Sequence, residues 1–123
     1  GKEKGPYAFA WQTIRKAKVP LVFGTDWPVS DINPMRAIHA AVTRREWGDN
    51  MKPQRQSLHD SLHSYTVMGA YAEFAEGRKG VLKRGAMGDA VVLDADIEAI
   101  APEDIELVKV QATVMNGRIV YER

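Results

Sequence analysis

The sequence predicts an α/β fold, and three observations carry that prediction. A helical pattern leads straight into a wholly apolar run, Leu21 to Phe23. Two more helical periodicities follow, over residues 34–47 and 58–75. From Gly77 onward, glycines punctuate short β-type runs instead.

Tyr7, Ala10, Trp11, Ile14 and Ala17 recur at helical spacing, with Gln12, Arg15, Lys16 and Lys18 between them. Gly1 to Gly5 is polar and expected to fray, and Pro6 suits a first helical turn. Cations near Lys18 suit the helix C-terminus, and Pro20 marks the break. Leu21-Val22-Phe23 shows no polar alternation, so it reads as a strand buried on both faces. Gly24-Thr25 ends it, Asp26 follows, and Trp27-Pro28 stops it, since proline has no N–H for a ladder. A carboxylate at the C-terminal tip of such a strand stands where α/β enzymes keep their chemistry.

Ser30 to Pro34 has strong turn chemistry, with Asn33 as a helix cap and Pro34 in the first helical position. Met35, Ile38, Ala41 and Val42 give that helix an apolar stripe. It is expected to run to about Trp47 and stop at Gly48-Asp49-Asn50. Arg44-Arg45-Glu46 reads as a solvated face, and Met51 to Gln56 as a connector. Ser57-Leu58-His59-Asp60 has the form of a capping box. Leu58, Leu62, Tyr65, Gly69 and Ala72 then predict one long helix, about 58–75. Gly69 within it implies a close neighbouring backbone.

Val81-Leu82 is a brief β-type run, Ala90 to Leu93 a buried strand, and Lys109 to Met115 a partly alternating one. Asn116-Gly117 is a strong hairpin signal, with Arg118 to Tyr121 returning. Residues 94–105, with Pro102, read as a polar connector.

Composition narrows function. The chain has 123 residues, 45% hydrophobic, with 17 basic against 16 acidic residues and no cysteine. Near-neutral charge gives no electrostatic footprint for nucleic acid or an anionic membrane. Disulfides and thiolate metal sites are excluded. With no bilayer-length apolar run and no signal pattern, a cytoplasmic location is the default expectation.

Phe23-Gly24-Thr25-Asp26-Trp27-Pro28-Val29, within Val19 to Val29, resembles the last barrel strand of the amidohydrolase superfamily. The likeness is to the branch called amidohydrolase family 3, the metal-dependent hydrolases. Ser57 to Ala72 is similar to that family's "SL…YT…A" stretch. Gly80 to Asp94 is similar to its "G…G..AD.VVLD" segment, with Gly88 where alanine is usual. Thr113 to Tyr121 is similar to its closing "T...G..VY" hairpin. The four likenesses fall in family order and cover nearly the whole chain.

The resemblance implies the C-terminal part of a (β/α)8 barrel, namely its last strand and following helices, plus C-terminal strands of a small β-sandwich subdomain. Residues 1–76 would close the catalytic barrel and 77–123 would belong to the sandwich. A full barrel takes about 250 residues, so the chain reads as a C-terminal fragment. The resemblance further implies that Asp26 binds a divalent metal, with zinc the expected ion. It also implies that Asp26 moves a proton from the metal-bound water to the leaving group, and that Trp27 lines a substrate pocket. The family's other ligands, a His-x-His pair, a Lys or Glu and two later histidines, have no matching positions. The fragment alone is therefore expected to hold no cofactor and to be inactive. The complete protein would hydrolyse a C–N, amide-type bond of a small molecule.

Other readings of these residues stay open. Asp26 can also be a turn or cap residue, and Trp27 a packed aromatic. His59 and His63, four apart on a helix, can share a metal, but lack a third ligand and read as solvated or packing residues. His39 reads as structural. Asp89 and Asp94 read as turn and backbone hydrogen bonding. The competing function is a non-catalytic, self-associating α+β module, because an unpaired strand and apolar helix faces invite a homo-oligomer.

Overall fold

The computed structural model describes residues 7–46, 48 and 51–123. Four helices come first: α1 (Trp11–Lys16), α2 (Met35–Thr43), α3 (Leu58–Tyr65) and α4 (Val67–Ala72). Then come β1 (Ala90–Leu93), a 3₁₀ helix (Pro102–Leu107), β2 (Val110–Met115) and β3 (Arg118–Glu122). The strands form one antiparallel sheet in the order β1-β2-β3. The fold is therefore α/β in content, as the sequence predicts.

α2 is the centre of the core. Asn33 Oδ1 accepts the Met35 N–H at 3.0 Å, satisfying one of the orphan donors of the helix start. The predicted stripe of Met35, Ile38, Ala41 and Val42 is fully buried. Met35, Ile38 and Val42 pack against Ile105 and Val108, with Leu58, Leu62, Tyr65, Leu93, Ile97 and Ile100 around them. Residues 94–105 are thus no polar connector. They bring three isoleucines to α2, and the 3₁₀ helix carries the most deeply placed of them.

α2 ends at Thr43 rather than near Trp47. Arg44 turns to φ −44°, ψ 128°. Its guanidinium lies 5.4 Å from the Phe9 ring centroid and 5.2 Å from that of Trp11, and it donates to the Ala8 carbonyl. A cation drawn onto two rings leaves the helix path, so Arg44 is not a solvated residue. The expected stop at Trp47, Asp49 and Asn50 lies outside the described residues, as do Gly1 to Gly5 and Pro6. α1 is shorter than predicted at both ends because Phe9 (φ 49°) and Lys18 (φ 57°) take left-handed backbone.

Residues 51–56 are also more than a connector. Gln54 and Gln56 are buried. Gln54 exchanges two hydrogen bonds with Thr13, accepting from its N–H at 3.1 Å and donating to its Oγ1 at 2.9 Å. Arg15 donates to Gln56 Oε1 at 2.9 Å and to Ser64 Oγ at 3.0 Å, and pairs with Asp60 at 3.4 Å. This polar clamp fixes α1 to α3. It also explains half of the capping box. Ser57 Oγ accepts the Asp60 N–H at 3.0 Å as predicted, while the Asp60 carboxylate turns to Arg15 instead of back to the cap.

The predicted helix over 58–75 is two helices, broken at Thr66 (φ −108°, ψ −78°). The Thr66 hydroxyl donates to the Leu62 carbonyl at 2.8 Å, the back-bonding that bends helices. The close approach expected at Gly69 is absent, since a Cβ there would meet nothing within 4 Å. It occurs at Gly80, where a Cβ would lie 2.9 Å from the Thr66 carbonyl oxygen and 2.8 Å from Ala70 Cβ. The chain after α4 folds back onto the bend there. Val81-Leu82 forms no strand.

β1 pairs Ala90 with Val114 and Val92 with Ala112, and β2 pairs Thr113 with Tyr121. Asn116 (φ 50°) and Gly117 (φ 75°) make the predicted turn, with positive φ at both central positions. Asp89 Oδ1 accepts the Asn116 N–H at 2.7 Å and Asp94 Oδ1 the Lys109 N–H at 2.8 Å, the roles expected of them. β1 is not buried: Val91 is 55% and Val92 51% exposed. Val91 faces an open groove against α3 and α4, and alternation turns Val92 to the other side of the sheet. An apolar run shows that a strand wants cover and does not say that a layer is present.

Candidate functional site

The apolar run at Leu21–Phe23 forms no strand and sits in no ladder among the described residues. Val22 is exposed, which corrects the expectation of a strand covered on both faces. The run is held instead from one side. The Phe23 N–H donates to the Ser64 carbonyl at 3.1 Å. The Phe23 ring sits 5.2 Å from Trp11 and 5.7 Å from Tyr65, in tilted and edge-on geometries. The same packing buries part of the Tyr65 phenol and raises its pKa above the ordinary value, because desolvation disfavours the phenolate.

At the end of this segment the chain turns sharply. Asp26 has φ 52°, and the Val29 N–H donates to its carbonyl at 2.8 Å. The Ser30 hydroxyl donates to the Thr25 carbonyl. Beyond the turn, Asp31 Oδ1 accepts the Asn33 N–H at 3.1 Å, and Asn33 in turn caps α2. The loop therefore runs from an aromatic anchor to the buried start of α2.

The Asp26 side chain is exposed, and no hydrogen bond or ion pair engages it among the described residues. It stands in the turn that follows the apolar run, where no strand forms. Its carboxylate takes no part in holding the turn, which leaves both oxygens as hard acceptors without a partner among the described residues. Trp27 is 65% exposed and makes no ring contact among the described residues. Packing therefore does not account for it.

The other candidates resolve differently. His59 and His63 stack with centroids 6.3 Å apart. No group of three or more His, Asp or Glu side chains that could hold a metal forms among the described residues. His39 Nδ1 lies 3.9 Å from Glu106 on the 3₁₀ helix, beside a shallow cavity of about 530 Å³. A larger groove of about 910 Å³ opens between α3, α4 and the sheet. Its lining is mostly apolar, with Leu62, Val91 and Val114 among it, and also carries Tyr65, Glu73, Lys79 and Asp89. Sequence reasoning missed the Arg15–Gln56–Ser64 clamp, because nothing in Pro53-Gln54-Arg55-Gln56 marks its glutamines as buried.

The chain belongs to the amidohydrolase family, whose pattern matches residues 1–121. It is 30% identical, over its whole length, to "Putative amidohydrolase YtcJ" of Bacillus subtilis (strain 168), and covers 24% of that protein. It is 32% identical over 93% of its length to "Protein LONG AFTER FAR-RED 3" of Arabidopsis thaliana, covering 20% of it. It is 26% identical over 94% of its length to "N-substituted formamide deformylase" of Arthrobacter pascens, covering 22% of it. The chain thus spans about a quarter or less of the length of these relatives. No solved structure matches it. Members of the family are generally metal-dependent. Among the described residues, Asp26 offers an exposed carboxylate and no metal-holding group of three or more side chains forms. No helix there is long and apolar enough to cross a membrane.

Proposed function

We propose that this chain is the closing part of a metal-dependent amidohydrolase that cleaves an amide-type C–N bond in a small molecule. The observation that carries the reading is the Asp26 carboxylate, unengaged among the described residues, just after an apolar run that has no ladder partner there. In this reading, residues 1–76 complete a barrel and Leu21–Phe23 is its last strand. Residues 77–123 supply strands of a small sandwich subdomain, and the core shared by α2 and the 3₁₀ helix is the seam between the two. The relative that is a deformylase supports a C–N bond as the target.

Asp26 would supply one oxygen ligand. The ion, with zinc the proposed one, acidifies a water and polarises the scissile carbonyl when bound. Asp26 is then the base: it accepts the proton released by the water and returns it to the departing nitrogen. Such a step contributes about 10²–10⁴-fold in rate. One carboxylate does not hold a metal at catalytic affinity, so the chain alone does not turn over. Zinc titration by calorimetry with an amide hydrolysis assay tests this. The expected result is weak binding and no turnover. Tight zinc binding with turnover that disappears in Asp26→Ala overturns the incompleteness.

A second reading rests on a separate observation. Val91, Val92 and Ile119 are half-exposed or more on a sheet with two open edges, and such surfaces favour association between copies. A self-associating α+β module without catalysis is therefore the competing proposal. Sedimentation at micromolar concentration is its test, and a clean monomer removes it.

A further inference from the structure

We infer that Ser30 is a positioning residue for Asp26. The two peptide planes that flank the Asp26 Cα are each held by one hydrogen bond. The plane between Thr25 and Asp26 is held through the Thr25 carbonyl, which accepts the Ser30 hydroxyl. The plane between Asp26 and Trp27 is held through the Asp26 carbonyl, which accepts the Val29 N–H at 2.8 Å. Fixing both planes fixes φ and ψ at residue 26, and with them the direction of its Cβ. Only the two side-chain torsions remain free.

The clamp has something to oppose. A left-handed backbone is disfavoured for a residue bearing a Cβ, even for aspartate, which tolerates it best. The segment before the turn has no ladder among the described residues to impose a direction on the Thr25 carbonyl. The far end of the loop is already tied to the core through Asp31, Asn33 and the buried Met35. Among the described residues, Ser30 is the one side chain that reaches from this anchored end back across the turn to the peptide preceding the carboxylate. It touches no substrate; it aims the group that does. This inference rests on the proposed role of Asp26.

The test is amide hydrogen exchange, read at Val29, with Ile38 as the reporter of the core, since its N–H donates to the Pro34 carbonyl at 2.9 Å. Ser30→Ala is expected to speed exchange at Val29 about tenfold or more and to leave Ile38 within twofold. Ser30→Thr keeps the hydroxyl and is expected to restore the slow rate. In the complete enzyme, Ser30→Ala is expected to lower kcat about tenfold with KM nearly unchanged, since a small misplacement of a reacting group is costly, and Ser30→Thr to rescue it. Unchanged exchange at Val29, equal acceleration at Ile38, or failure of Ser30→Thr to rescue overturns the inference. If exchange responds as expected while Asp26→Asn leaves the complete enzyme fully active, the clamp stands and the reading of Asp26 falls.

Discussion

Ile105→Ala probes the part of the fold that the sequence conceals best. Ile105 is 2% exposed and packs on Met35, Ile38 and Val42 of α2. The substitution removes three carbons from a fully enclosed site. At about 0.8 kcal/mol per buried methylene, the transfer loss is about 2.4 kcal/mol. A residual cavity adds to it, because α2 and the 3₁₀ helix are held by neighbours on both sides and cannot fully collapse. The expected cost is about 3–4 kcal/mol. With a urea slope of about 1.5–2 kcal/mol/M, the midpoint should fall by about 2 M. Leu107, two residues on in the same 3₁₀ helix, is 67% exposed. Leu107→Ala should therefore cost within about 0.5 kcal/mol. Urea unfolding followed by tryptophan fluorescence measures both. Equal midpoints for the two variants would mean that the 3₁₀ helix does not close the core.

Gly80→Ala combines a φ of +87° with a Cβ pressed against the Thr66 carbonyl, and should cost about 2–4 kcal/mol. Gly85→Ala, at φ +88° with open space around it, should cost only the backbone strain, about 1–2 kcal/mol, and thermal melts of the pair separate the two contributions. Arg15→Ala leaves Ser64 Oγ and Gln56 Oε1 without their donor inside the clamp, for an expected loss of about 2–3 kcal/mol by urea titration. The Tyr65 phenol has a raised pKa in the folded chain, so the folded state holds its proton longer than the unfolded one. Its contribution is complete below the unfolded value near pH 10 and is lost as pH rises through the folded value. Ultraviolet titration should show one late-ionising tyrosine that is absent from Tyr65→Phe.

What the sequence reveals here follows from how local each signal is. The α2 stripe, the Asn33 and Ser57 caps and the Asn116-Gly117 turn depend on residues within a few positions of one another. They are legible for that reason. The break at Thr66 turns on one hydroxyl choosing a carbonyl within the helix, and the departure of Arg44 on two rings some 35 positions away. Composition shows neither. The linker at 51–56 and the connector at 94–105 look solvated because their polar residues are counted one by one. In the structure, the glutamines are partnered and the isoleucines between the acids turn inward.

The candidate site divides along the same line. The position of Asp26 at the tip of an apolar run is a local fact, and the structure places it there. Whether that run is a strand depends on partners, and an extended segment acquires its ladder only from another chain segment. Leu21–Phe23 has a proline-bounded start, an aromatic anchor and one backbone hydrogen bond to Ser64, and no ladder among the described residues. Val92 and Ile119 show the same condition in the sheet: side chains suited to burial with no layer over them. Two separate surfaces thus lack cover in a chain about a quarter as long as the relatives it matches. Supplying the rest of such a relative should bury both at once. Hydrogen exchange then distinguishes the two proposals. Protection gained at Val22 and Val92 only in the presence of the longer partner supports the enzyme segment. Protection that rises with the concentration of this chain alone supports the self-associating module.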